Sequence, residues 1–161
     1  MTDNFTRRHD GTPAGKDHTQ ELIEAGVPES MHGWLSSHGV GALVVKLGIT
    51  FSEMSAERTV GSMPVEGNTQ VTGLLHGGAH MVLAETLGSF AAGIHAGQDR
   101  HALGIEIGAT HHRGVRSGTV TGTATAIHLG RTLTVHEVVL TDDDGRRLST
   151  ARITNLLRDN G

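Results

Sequence analysis

The residues best equipped for chemistry lie close together: Gln70, then His76-Gly77-Gly78, then Glu85. Glu85 is the single Asp, Glu, Lys or Arg between Glu66 and Asp99. An unpaired carboxylate costs several kcal/mol if it is buried, so one kept inside an apolar segment calls for a use. His76-Gly77-Gly78 suits a tight turn into a helix whose first amide N–H groups stay unpaired. Such an N–H, helped by the helix dipole, can stabilise a developing oxyanion. A carboxylate near it can attack a carbonyl directly or activate water. The two features together read as a catalytic constellation more than as a core helix.

The element that must carry these groups is a helix from about Gly77 to Ala96. Val82, Leu83, Thr86, Leu87, Phe90 and Ile94 fall on one stripe at helical spacing, with Met81, Glu85, Ser89 and Ala92 on another face. Upstream, Met1 to Gln20 mixes charge, Gly and Pro without periodicity and is expected to be a mobile arm. Residues 21–161 are expected to form a single domain. Short helices are expected around Leu22, Ile23, Met31, Trp34 and Leu35, broken at Gly26 and Pro28. Val45, Leu47, Ile49 and Phe51 alternate with Lys46, Gly48 and Thr50, which predicts a strand. A second strand is expected from about Arg58 to Val65, after a turn at Ser55-Ala56-Glu57. Beyond the helix, strands are expected over Leu103 to His111, Thr119 to Ala126, Leu133 to Thr141 and Leu148 to Leu157. His128-Leu129-Gly130-Arg131 reads as a turn and Asp144-Gly145 as a hairpin. The order is two strands, a long apolar helix and four strands. With so little charge, the helix is expected to be covered by the sheet and by a partner.

Composition narrows the function classes. The 161 residues favour one domain with a sizeable core. Only three Phe, one Trp and no Tyr are present, so Val, Leu, Ile, Ala and Met must build that core. Glycine is abundant, at 23 residues, which argues for turns and close backbone contacts. The net charge of −4 with scattered basic residues argues against nucleic-acid binding. There is no cysteine, hence no disulfide and no thiolate chemistry. No apolar run is long enough to span a membrane, and Met1 to Gln20 is polar, so a cytoplasmic protein is expected. The 12 histidines invite a metal reading. His76 and His80 are one helical turn apart, but the adjacent His111 and His112 would point to opposite faces of a strand. No metal and no cofactor are expected.

These residues resemble the hotdog-fold acyl-CoA thioesterases, an α+β family in which a curved antiparallel sheet wraps one long central helix. The likeness is greatest to the bacterial branch of 1,4-dihydroxy-2-naphthoyl-CoA, enterobactin-pathway aryl-thioester and 4-hydroxybenzoyl-CoA thioesterases. It rests on Gln70, on Gly73 through Ala79, and on Leu83-Ala84-Glu85 with Ser89. It continues at Ile105-Glu106-Ile107 with His111, Arg113 and Gly118, at His128 through Arg131, and at Asp144-Gly145 with Ala151 through Thr154. A glutamate nine residues after the His, with a glutamine six before it, makes the pattern fairly specific. The resemblance implies hydrolysis of an acyl-CoA thioester to free acid and coenzyme A, and a small-residue pocket wall points to an aryl, medium-chain or enoyl acyl group. Glu85 would be nucleophile or general base, and the Gly77 N–H the oxyanion donor. Gln70 would bond the nucleophile, the water or the carbonyl, His76 would orient the thioester, and Ser89 would assist near Glu85. Gly78 would let the acyl group approach, with Ala92 and Gly93 as further small wall residues. His111, Arg113, Gly130 and Arg131, with Arg116, would meet the coenzyme A moiety.

Spacing adds a constraint of its own. Gly77 and Glu85 are eight residues apart, or about 12 Å along a straight helix, whereas a reacting carbon needs both within about 3–3.5 Å. Two helices packed antiparallel about a two-fold axis would bring one chain's Gly77 to the other's Glu85, so a homodimer is expected as the minimal active unit. The resemblance further implies a homotetramer of two dimers. Two other readings stay open: an acyl-CoA hydratase or dehydratase of the same fold, and a non-catalytic acyl-CoA-binding module.

Overall fold

A computed structural model describes residues 17–160. Three short helices come first: α1 (Thr19–Glu24), α2 (Glu29–Leu35) and α3 (Ala42–Lys46). The hairpin β1 (Thr50–Met54) and β2 (Arg58–Pro64) follows, then the long helix α4 (Gly77–Ala96). Four strands close the chain: β3 (Arg100–His111), β4 (Thr119–Leu129), β5 (Leu133–Thr141) and β6 (Arg147–Asp159). They form one six-stranded antiparallel sheet in the order β1-β2-β4-β5-β6-β3. The helix lies across one face of this sheet. β6, the last strand in sequence, sits between β5 and β3, and β3 forms one edge.

The packed face of α4 is Ala79, His80, Leu83, Ala84, Leu87, Gly88, Ala91 and Ala92. This corrects the expected stripe: Leu83 and Leu87 belong to it, but Val82, Thr86, Phe90 and Ile94 are only half-buried on its flank. The reason is close approach. A Cβ on Gly88 would lie 2.3 Å from Ile153 Cγ2, and a Cβ on Gly122 of β4 would lie 2.6 Å from Leu87 Cδ1. Small residues on both sides let the backbones come near, and Leu87 fills the space above Gly122. Burying such a leucine stabilises the fold by about 1.5–3 kcal/mol.

The expected strand through Val45 is also corrected. Ala42–Lys46 is helical, and strand geometry begins only at Thr50. Gly48, with φ +68°, turns the chain between the two, and Ile49 N–H closes onto Val44 O at 3.0 Å. Val44 is buried while Val45 is 54% exposed, so the alternation holds only from Ile49 onward. Helix α1 starts at Thr19, inside the stretch expected to be an arm; residues 1–16 of that arm lie outside the described residues. β3, β4 and β6 run past the expected ends, so His128 and Leu129 belong to β4 and only Gly130-Arg131 remains in the turn. The N-terminal helices cap the core: Phe51 N–H bonds Ala25 O at 2.7 Å, and Leu22, Leu35 and Val44 join the main apolar cluster.

Candidate active site

The start of α4 divides its free amides unequally. His76 is the N-cap, with φ −67° and ψ 133°, and its Nδ1 accepts the Gly78 N–H at 2.8 Å. The Ala79 and His80 N–H groups turn back to His76 O. Among the described residues, the Gly77 N–H donates to nothing. One unpaired donor at a helix N-terminus is thus left for an incoming oxygen. The loop before it is firmly tied: Gln70 N–H bonds Leu74 O at 2.8 Å, Leu75 N–H bonds Val115 O at 2.8 Å, and Arg116 Nη1 donates to Thr72 O at 2.8 Å.

A cleft of ≈ 380 Å³ opens beside this amide, and Gln70, Leu74, Gly77, His80, His111 and Arg113 are among its walls. His111 Nε2 lies 3.1 Å from where a Cβ on Gly77 would sit, so any side chain there would press on the imidazole. Arg113 reaches the cleft with Nη1 tied to Arg147 O at 2.9 Å. Four residues singled out in the sequence therefore meet here: Gln70, Gly77, His111 and Arg113. His76 caps the helix at its rim, and Gly78 is exposed beside it.

Glu85 and Ser89 are not in this cleft. They lie two and three turns further along the same unbroken helix, Glu85 exposed and Ser89 half-buried. Glu85 therefore pays no burial cost in a single chain, contrary to the reasoning from its apolar neighbours. Gly130 and Arg131 are farther still. His95 Nε2 donates to Gly130 O at 3.0 Å and Arg100 Nη1 to Arg131 O at 2.8 Å, which ties that turn to the C-terminal end of α4. Ala92 and Gly93 do not line the cleft: Ala92 is fully buried, and a Cβ on Gly93 would meet the Trp34 ring at 3.1 Å. A broader depression of ≈ 600 Å³ on the sheet includes Glu106, Glu137 and Arg152, and there the Glu106 and Arg152 side chains are paired at 3.8 Å.

His80 is the cleft residue that sequence reasoning passed over, having weighed it only as a metal ligand. It is 3% exposed, and its Nδ1 lies 2.8 Å from Ser149 Oγ. Burial, and secondarily the charge of His111, pushes its pKa down to about 4, so the ring is neutral at pH 7. Its spacing from Gly77, three residues on the helix, was the available signal. Among the described residues, no group of three His, Asp or Glu is arranged to hold a metal ion. No described helix is long and apolar enough to cross a membrane.

A curved antiparallel sheet around one long helix is the hotdog fold, and here the helix start carries a free amide. The sequence profile of the thioesterase superfamily matches residues 72–149. The proofreading thioesterase EntH of Cronobacter sakazakii is 40% identical over 124 residues, covering 76% of this chain and 90% of that protein. The crystal structure of a thioesterase from Haemophilus influenzae superposes with a TM-score of 0.71 at 34% identity, covering 78% of this chain and 87% of that one. A mutant thioesterase from Pseudomonas aeruginosa gives 0.69 at 40% identity, with 83% and 96% covered. The chain belongs to the thioesterase superfamily and is a thioester hydrolase.

Proposed function

We propose that the protein hydrolyses aryl or medium-chain acyl-CoA thioesters in sites shared between two chains. The observation that carries this reading is the unpaired Gly77 N–H at the cleft, with Glu85 two turns away on the exposed face of the same helix. The Gly77 N–H would hold the thioester oxygen as it gains negative charge. The partner's Glu85 would attack the carbonyl carbon or deprotonate the attacking water. The C–S bond breaks and the thiolate leaves and takes up a proton; water then hydrolyses the mixed anhydride in the first route, or has already added to the carbonyl in the second, and the acyl group is released as the acid. Gln70, on the cleft wall, would orient the water or carbonyl, Ser89 would support the carboxylate one turn away, and His76 would fix the amide geometry through its cap.

The same antiparallel pairing supports a role for the distant turn. From Glu85 to His95 is ten residues, about 15 Å along the helix, and His95 is bonded to Gly130. In the shared site, Gly130 and Arg131 would come from the chain that supplies the carboxylate, one pantetheine arm away from the thioester. Arg113 and His111 would come from the chain that supplies Gly77. The open edge of β3, with Leu103 and Ile105 exposed on that strand, supports pairing with a second copy, and two such dimers would make the tetramer. Acyl-CoA substrates would place the enzyme in the cytoplasm.

The test mixes two inactive chains, Glu85→Gln and Gly77→Val, under conditions that exchange subunits. A mixed dimer has one site carrying both defects and one carrying neither. Release of coenzyme A thiol should therefore reappear on mixing. If mass measurement confirms mixed dimers and no thiol release returns, the shared site is wrong. If the unaltered protein releases no thiol from a panel of acyl-CoAs, the substrate class is wrong.

A further inference from the structure

His111 stands beside Gly77, with Nε2 3.1 Å from where a Cβ would sit, yet among the described residues its ring makes no hydrogen bond. What it touches is His80. The two rings meet edge to face, with centroids 5.1 Å apart and planes at 75°. His80 is itself immobilised, buried on the packed face of α4 with its Nδ1 on the Oγ of the fully buried Ser149. A chain of contacts therefore runs from β6, through a helix residue one turn below Gly77, to the imidazole at the mouth of the cleft. An exposed side chain near the end of an edge strand has several rotamers open to it. A fixed aromatic edge beside it favours one of them.

We propose that His80 is a positioning residue for the thioester hydrolysis described above: its ring, fixed by burial against the sheet, holds the His111 ring beside Gly77 and so defines one approach of the acyl carbonyl to the free N–H. The inference rests on the thioesterase reading. His80 itself need not touch the reacting atoms. Its contribution is the orientation of the wall they pass, where small misplacements are costly.

Two substitutions separate its two contacts. His80→Asn can keep a hydrogen bond to Ser149 but removes the ring that meets His111. His80→Phe keeps a ring there and gives up the bond to Ser149. Each full-length variant is assayed for thiol release from benzoyl-CoA and decanoyl-CoA, and the His111 ring signals are followed by NMR. His80→Asn should lower kcat about tenfold with KM little changed, and should move the His111 signals to those of a freely rotating imidazole. His80→Phe should keep kcat within about threefold of the unaltered protein and keep the His111 signals shifted. Unchanged kcat and unchanged His111 signals in His80→Asn overturn the proposal, as does equal damage by both variants. Should the unaltered protein release no thiol from any acyl-CoA, the acyl-CoA reading falls, while the His111 signals still decide whether His80 holds that ring.

Discussion

Acidification below the usual imidazole range should weaken this fold through His80. In an unfolded chain the imidazole titrates near 6.5; in the folded chain burial, then the charge of His111, moves it to about 4. Above pH 6.5 the group is neutral in both states and adds no pH dependence to the stability. Below that, the unfolded chain binds a proton that the folded chain refuses, so stability falls by up to about 1.4 kcal/mol per pH unit. The fall ends near pH 4, where the folded form itself takes up the proton. Over the whole window one such group removes up to about 3 kcal/mol, a large share of the 5–15 kcal/mol typical of a domain. The ring is 3% exposed, so solvent screening does little to reduce this. Buried His136 is shifted down by the same cause and adds in the same direction. Asp142, held below its usual value by Arg146, loses its contribution only at more acid pH. Urea unfolding at about pH 7 and about pH 4.5 should show the unaltered protein losing at least about 1 kcal/mol more than His80→Asn, which lacks the titrating group. Parallel losses in the two proteins would refute the reasoning.

Replacing Glu85 by Gln should cut turnover of acyl-CoA thioesters by about 10²–10⁴-fold with the circular dichroism spectrum unchanged; activity within tenfold of the starting protein counts against its catalytic role. Arg131→Glu should raise KM for coenzyme A thioesters and spare a short pantetheine thioester, because the phosphates are what a guanidinium reads; equal loss with both substrates places Arg131 outside the nucleotide site. Gly88→Ala gains up to about 1 kcal/mol of helix propensity but sets a methyl 2.3 Å from Ile153 Cγ2. Overpacking of about 1–3 kcal/mol should win, and the melting temperature should fall; an unchanged or higher value would show that Ile153 can move aside.

Much of the architecture could be read from residue order alone, because the signals were local. His76-Gly77-Gly78 marked the start of α4 to the residue, and Asp144-Gly145 marked the β5–β6 hairpin. What escaped the sequence was decided by distant contacts. Hydrophobic size drew the helix stripe toward Val82, Phe90 and Ile94, whereas the contact face is built of small residues that only the nearness of Ile153 and Gly122 explains. Alternation from Val45 to Phe51 looked like one strand, but among the described residues β1 pairs only with β2, and that pairing begins at Thr50. Isolation of Glu85 along the chain was read as burial, although one helix can turn that position outward while its neighbours face the sheet. Gln70, Gly77, His111 and Arg113 were legible as site candidates from their types and pattern. His80 was not, since its place depends on Ser149 and His111, both far along the chain.

The position of β6 has a bearing on how the chain folds and how it fails. β3 is synthesised midway but among the described residues has a single sheet neighbour, and that neighbour is the last of the six strands made. Until β6 arrives, β3 and one side of β5 present unpaired ladders, and the inward residues of α4 lack Ile153. Closing the sheet is therefore a late event bridging large sequence separations, the kind of step that slows folding and leaves edges exposed meanwhile. A nascent or truncated chain ending before Arg147 would not merely lose one strand. It would lose the ladder on two others at once, and with it Ser149, the anchor that reaches the cleft from the far end of the sequence.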